Sequence, residues 1–152
     1  MTPFTLELTA LAGLRGKEVA VSDWVPVTQR RIDAFAEAID DKQWIFVDPL
    51  RAAAESPFET TIAHGLLVLS LINSMLAHTF EIAGVRMAIN YGLDRVRFLG
   101  PVHAGAAIRT RFTIGDVEER PDYVRVTWNV TVERQHHEKP VAVAVWVARY
   151  YR

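Results

Sequence analysis

The stretch IAHGLLVLSLINSMLAH (residues 62–78) is apolar on nearly every face and too long for one strand. That pattern predicts a helix surrounded by protein rather than one lying on a surface. Gly65 stands in its first turn, where the missing Cβ lets another group approach the backbone closely. A long apolar helix needs a concave partner, and the second half of the chain supplies candidates. Val124, Val126, Trp128, Val130 and Val132 alternate with polar residues, as do Ile108, Thr110, Phe112 and Ile114, which is the period of half-buried strands. VAVAVWVARYY (141–151) is apolar on both faces and is expected inside a sheet or at a subunit contact. Residues 87–98 form a fourth candidate strand and residues 19–25 a weaker fifth.

Upstream, TQRRIDAFAEAI (28–39) places Ile32, Phe35, Ala36 and Ile39 at helical spacing, with Thr28 as the N-cap. Asp48 followed by Pro49 predicts a second, short helix that stops near Ser56 and Pro57. The charged, proline-marked segments RPD (120–122) and HHEKP (136–140) read as hairpin connections. Helices early and long strands late indicate an α+β class with an antiparallel sheet. No internal repeat, linker or low-complexity tract interrupts the 152 residues, so one domain spanning 1–152 is expected.

Half the residues are hydrophobic, 23% are charged, and the formal net charge is −1. There is no basic excess to neutralise a nucleic-acid backbone, so nucleic acid is not expected as a partner. With no cysteine, disulfides and thiolate metal sites are excluded, and a cytoplasmic setting is the expectation. MTPFTLELTALAGLRG (1–16) lacks the basic start and apolar core of a signal peptide. The longest apolar run falls short of the roughly 20 residues of a membrane span, so no membrane association is expected. His136 and His137 are adjacent, so their side chains diverge on an extended chain, and no further ligand accompanies them; no metal site is expected.

Three stretches concentrate the chemistry-bearing residues: DDKQWIFVDP (40–49), TIAHG (61–65) and YGLDRVRFLGPVHAGAAIR (91–109). Together they resemble the MaoC-like, (R)-specific enoyl-CoA hydratase family of hot-dog folds, and within it the NodN-like proteins. The resemblance runs from about Val25 to the strand after Pro101 and more loosely beyond. It implies a long central helix wrapped by a curved antiparallel sheet of five or more strands. It also implies a homodimer with acyl-CoA bound at the dimer contact, with a higher homo-oligomer or a heterodimer with a homologue as further arrangements.

The family signature is an aspartate, an asparagine or glutamine two residues on, and a histidine five residues after the aspartate, followed by a further aspartate. By position Asp41 matches the catalytic aspartate, Gln43 the amide and Asp48 the trailing acid. The histidine position is Phe46. The implied reaction adds water to a 2-enoyl thioester, or removes it, with Asp41 as base and no cofactor beyond the thioester itself, carried by CoA or an acyl carrier. Gly65 matches the residue whose amide would stabilise the thioester oxygen, with close helix–sheet packing as its structural alternative. His64 is either a further proton-handling group or a hydrogen-bonded structural residue. Phe46, Ile62, Leu66 and Arg97 are the implied substrate-binding positions, although Arg97 could instead pair with a helix carboxylate. Asp40 reads as a solvated helix-end carboxylate.

A phenylalanine transfers no protons. Either another group replaces the histidine, or the pocket serves a different reaction or binding alone, or Phe46 is an introduced substitution. An enzyme with a modified proton-donor arrangement and a non-catalytic hot-dog subunit that binds acyl thioesters or an active homologue are therefore both open.

Overall fold

A computed structural model describes residues 3–152. In chain order it contains β1 (Phe4–Glu7), a 3-10 helix (Leu8–Leu14), β2 (Glu18–Val21), β3 (Val25–Pro26) and α1 (Gln29–Ile39). There follow α2 (Trp44–Val47), α3 (Pro49–Glu55) and α4 (Gly65–Thr79), then β4 (Phe80–Ala83), β5 (Met87–Phe98), β6 (Ala107–Glu119), β7 (Tyr123–Arg134) and β8 (Ala142–Tyr151).

The helix starts follow from local chemistry. The Thr28 side chain accepts a hydrogen bond from the Arg31 amide, and Asp48 does the same for Arg51, with Pro49 in the first helical turn of α3. α1 ends at Asp40, whose φ of 58° is left-handed; aspartate tolerates this region better than most residues. The DDKQWIFVDP stretch is thus not all loop, since residues 44–47 form a single helical turn.

Strands β2, β6, β7, β8 and β5 lie side by side in that order, β3 also pairs with β6, and every pairing in this six-stranded sheet is antiparallel. The weak candidate at 19–25 resolves into β2 and β3. Register shifts in the β2–β6, β5–β8 and β6–β7 pairs each bend a strand, and the sheet curls around α4. A small parallel pair, β1 on β4, was not legible in the sequence; the Phe4 ring stacks on Phe80 at 5.4 Å.

β8 lies inside the sheet, between β7 and β5, which accounts for its two apolar faces. Its core side carries Ala142, Ala144, Trp146, Ala148 and Tyr150, so small and large side chains share the face that meets the core. α4 fills the space with buried Leu67, Val68, Ile72, Met75 and Leu76. Each such side chain contributes about 1.5–3 kcal/mol by leaving water. The expectation that protein surrounds α4 needs correction, because Leu66, Ser70, Asn73 and Ala77 form an exposed stripe at i, i+4, i+7 and i+11. The small polar residues on that stripe made it less apolar than the rest of the helix. Among the described residues, no helix is long and apolar enough to cross a membrane.

At the centre of the sheet Trp128 is fully buried, with rings of Phe80, Phe112 and Trp146 around it. Its indole N–H donates to the Tyr150 hydroxyl at 2.9 Å. Burial pushes the Tyr150 phenol far above the ordinary tyrosine value, so the folded state holds the proton where the unfolded state releases it. Stability from this source is present below about pH 10 and is lost as pH rises beyond that, toward the folded value. Tyr150→Phe removes both the acceptor and the titration. It is expected to lower stability at neutral pH by about 1–3 kcal/mol, because the indole donor is left unpaired, and to flatten the decline above pH 10. Urea denaturation across pH checks both effects.

Candidate active site

The three stretches singled out in the sequence converge through main-chain hydrogen bonds. Ile62 N–H donates to Ile45 O at 3.1 Å, Ala63 N–H to Val102 O at 2.8 Å and Ala104 N–H to Thr61 O at 3.0 Å. Ile62 and His103 form an antiparallel bridge. Gln29, which sequence reasoning passed over, adds a side-chain brace. Its amide nitrogen donates to Phe46 O at 2.7 Å, and its amide oxygen accepts from the buried Thr61 hydroxyl. The only signal was a glutamine directly after the Thr28 cap, a position equally suited to solvent.

His64 is 3% exposed, and its Nε2–H donates to the Asp41 carbonyl oxygen at 3.0 Å. A carbonyl can only accept, so the proton sits on Nε2 and Nδ1 is left as an acceptor. Nδ1 is buried and has no partner among the described residues. The imidazole lies face to face with Phe46, with ring centroids 3.9 Å apart and planes 24° apart, and meets the edge of Phe35 at 5.1 Å. Its observed contacts are thus a main-chain carbonyl and two phenylalanine rings.

Asp41 is half-buried, and its carboxylate accepts from the Gln43 side-chain amide at 3.1 Å. Gln43 itself is exposed. Asp48 has a local role as the cap of α3. Asp40 is exposed, as expected for a solvated helix-end carboxylate, 3.9 Å from the Lys42 amine.

Beside this assembly lies a cavity of about 410 Å³, bounded by Phe46, Phe58, Ile62, Gly65, Phe98 and Pro101 among others. Among the described residues, its lining holds no charged side chain. Gly65 opens α4, and no side chain caps the helix there, so its first amides offer an oxygen-binding position on the cavity wall. Phe46 and Ile62 line the cavity. Leu66 does not; it is 57% exposed on the uncovered stripe of α4. Asp41 and His64 also lie outside the lining, with Phe46 the lining residue that covers His64. Arg97 is exposed on β5 and donates to the carbonyl of its neighbour Val96 at 2.7 Å. It neither lines the cavity nor pairs with a helix carboxylate among the described residues, because strand alternation turns it away from Phe98.

The family model described as "MaoC like domain" matches residues 11–136. The chain belongs to the MaoC-like family. It is similar to 3-hydroxyacyl-thioester dehydratase Z of Mycobacterium tuberculosis, with 44% identity over 141 residues covering 92% of this chain and 93% of the relative. It is also similar to Nodulation protein N of Rhizobium meliloti, with 42% identity over 145 residues, 94% of this chain and 90% of the relative. Among solved structures, the MaoC-like dehydratase from Rhodospirillum rubrum superposes with a TM-score of 0.76 at 23% identity, covering 97% of each chain. The MaoC-like hot-dog fold and the NodN-like resemblance are thereby established, and hydratase or dehydratase chemistry is the activity that membership supports.

Gly65 has a packing constraint whatever its chemistry. A Cβ on it would stand 2.9 Å from the Phe98 ring, closer than van der Waals contact allows. Gly65→Ala is expected to cost about 1–3 kcal/mol through overpacking, and Phe98→Leu in the same chain to recover most of the loss. A double-mutant cycle in urea measures the coupling; additive effects would show that the close approach carries no energy.

Proposed function

We propose that this protein is an acyl-thioester hydratase or dehydratase that adds water to a 2-enoyl thioester or removes it from a 3-hydroxyacyl thioester. The observation that supports it most directly is the junction of Asp41, its brace His64 and the uncapped start of α4 beside an apolar cavity. Uncharged walls suit an acyl chain, and helix amides suit the oxygen that gathers charge as the enolate forms.

In the hydration direction the Asp41 carboxylate takes a proton from water while the hydroxyl adds to C3. The electron pair of the double bond moves into the thioester, whose oxygen rests on the first amides of α4. The protonated carboxyl then delivers its proton to C2, leaving Asp41 as it began. One carboxylate therefore serves both proton transfers, for which displacement of the Phe46 ring must bring it to the cavity. No cofactor takes part; the CoA or carrier thioester is the substrate, and the cytoplasm is the expected setting. A single proton-handling group is expected to run slower than a pair by roughly 10²–10⁴.

Crotonyl-CoA hydration, followed by loss of the enoyl absorbance, tests this directly. Wild type should turn over slowly, Phe46→His faster by roughly 10²–10⁴, and Asp41→Asn not at all. The Phe46 ring, inert in the histidine position and seated over His64, also favours a second reading: a subunit that binds acyl thioesters or an active homologue without catalysing. Silence of both wild type and Phe46→His, with crotonyl-CoA still raising Tm, would select it.

The assembly we propose is a homodimer through β5. This strand ends the sheet, so one row of its main-chain groups has no partner strand among the described residues, and Met87, Ile89, Tyr91 and Leu93 are all exposed on it. The uncovered stripe of α4 lies alongside, across a groove of about 240 Å³ that Ser70, Asn73, Asn90 and Leu93 line. A second copy bringing the same strand covers both. Sedimentation velocity should give twice the chain mass for wild type and a single chain for Ile89→Lys/Leu93→Lys; a dimer that persists in that variant would place the contact elsewhere.

A further inference from the structure

The segment at residues 101–103 has two sides. Pro101 and Val102 line the acyl cavity on one. On the other, Trp24, Arg109, Arg134, His136 and His137 line a cleft of about 360 Å³ together with Glu133 and Glu138. Arg134 joins the two sides, since its guanidinium donates to Pro101 O at 2.7 Å. That bond uses one of its donors, and Arg134 has no carboxylate partner among the described residues. His103 is half-buried beside it. Burial first, then the positive charges of Arg134 and His137, hold His103 below the ordinary histidine value.

The acids in the cleft do not answer Arg134. Glu133 is held between Arg109 at 2.6 Å and Arg111 at 2.7 Å, and its carboxyl is lowered chiefly by the hydrogen bond from Arg111. Glu138 lies exposed on the hairpin turn. Arg109 also stacks on the Trp24 indole at 4.5 Å, which fixes that wall. His137 Nδ1 lies 2.8 Å from Lys139 O, so it is the donor there and Nε2 remains for a ligand. The cleft therefore offers uncommitted donors at Arg134 and His137, with His103 beside Arg134, while Glu133 is already held by two arginines and Glu138 stands out on the exposed turn.

Its position relative to the cavity adds the second half of the argument. His103 is paired across a bridge with Ile62, and Ile62 precedes Gly65 by three residues, at most about 10 Å of extended chain. Gly65 and Pro101 line the same cavity, and Arg134 of the cleft is bonded to Pro101 O, so a pantetheine arm from a thioester carbonyl at Gly65 is long enough for the cleft.

Resting on the hydratase or dehydratase reading, we infer that the cleft lined by Arg134 and His137 binds the phosphate end of a phosphopantetheine-linked thioester. The chemistry is shared by CoA and by an acyl carrier protein.

Isothermal titration of the full chain with CoA, phosphopantetheine and phosphate-free pantetheine tests it. Arg134→Gln should weaken CoA by roughly ten- to a hundredfold, the scale of lost charge-assisted hydrogen bonds, while pantetheine binding is unchanged. Arg134→Lys should retain part of the affinity, and His137→Gln, on an exposed turn, should weaken CoA without disturbing the fold. Equal losses for CoA and phosphopantetheine support the site for the phosphate that an acyl carrier also bears; a loss confined to CoA overturns it, since the cleft would then contact the nucleotide end. The inference is overturned if wild type binds CoA no tighter than pantetheine, or if Arg134→Gln and His137→Gln both bind CoA as wild type does. Turnover of crotonyl-pantetheine by those same variants reports separately on the dehydratase reading, which can stand without the phosphate site.

Discussion

The hydrogen bond from Ala63 N–H to Val102 O, flanked by those of Ile62 and Ala104, determines where α4 begins. The chain just before the helix is clamped between the α2 turn at Ile45 and the segment leading into β6. The helix can then start only at Gly65, pressed against Phe98. From that fixed end, the buried series Leu67 to Leu76 sets which face meets the sheet. The same clamp brings DDKQWIFVDP, TIAHG and the turn after β5 to one place. A single short network of main-chain bonds thus serves core packing and the candidate site alike.

Strand and helix identities were legible because period and burial agree. β6 and β7 alternate cleanly, since one face meets the core and the other carries Arg109, Arg111 and Glu133. β1 and β4 were not legible. They are four residues each, and they form by pairing with one another across most of the N-terminal half of the chain; a contact so distant leaves no local pattern. The division of residues 19–25 into two strands is likewise decided by the β6 partner.

The site was legible as a set of stretches and less so residue by residue. Phe46, Ile62 and Gly65 reached the cavity because a motif fixed their spacing and the main chain holds them there. Leu66 and Arg97 did not, for a common reason: each follows or precedes a lining residue by one position, and one step along a helix or strand turns the side chain to another face. Gln29 and Thr61 were invisible because their roles depend on each other across 32 residues.

Phe46 meets the packing requirements of its position and leaves out the proton chemistry that a histidine there could add. The position must present a flat ring to His64, and that ring must also form a wall of the cavity. Phenylalanine meets both, being planar and apolar, and the stack leaves His64 free to hold the Asp41 carbonyl. Nothing in the packing therefore opposes the phenylalanine, and the brace on Asp41 does not need an imidazole at position 46. What a phenylalanine cannot supply is proton transfer, so architecture and chemistry can part company at this residue without disturbing the fold around it.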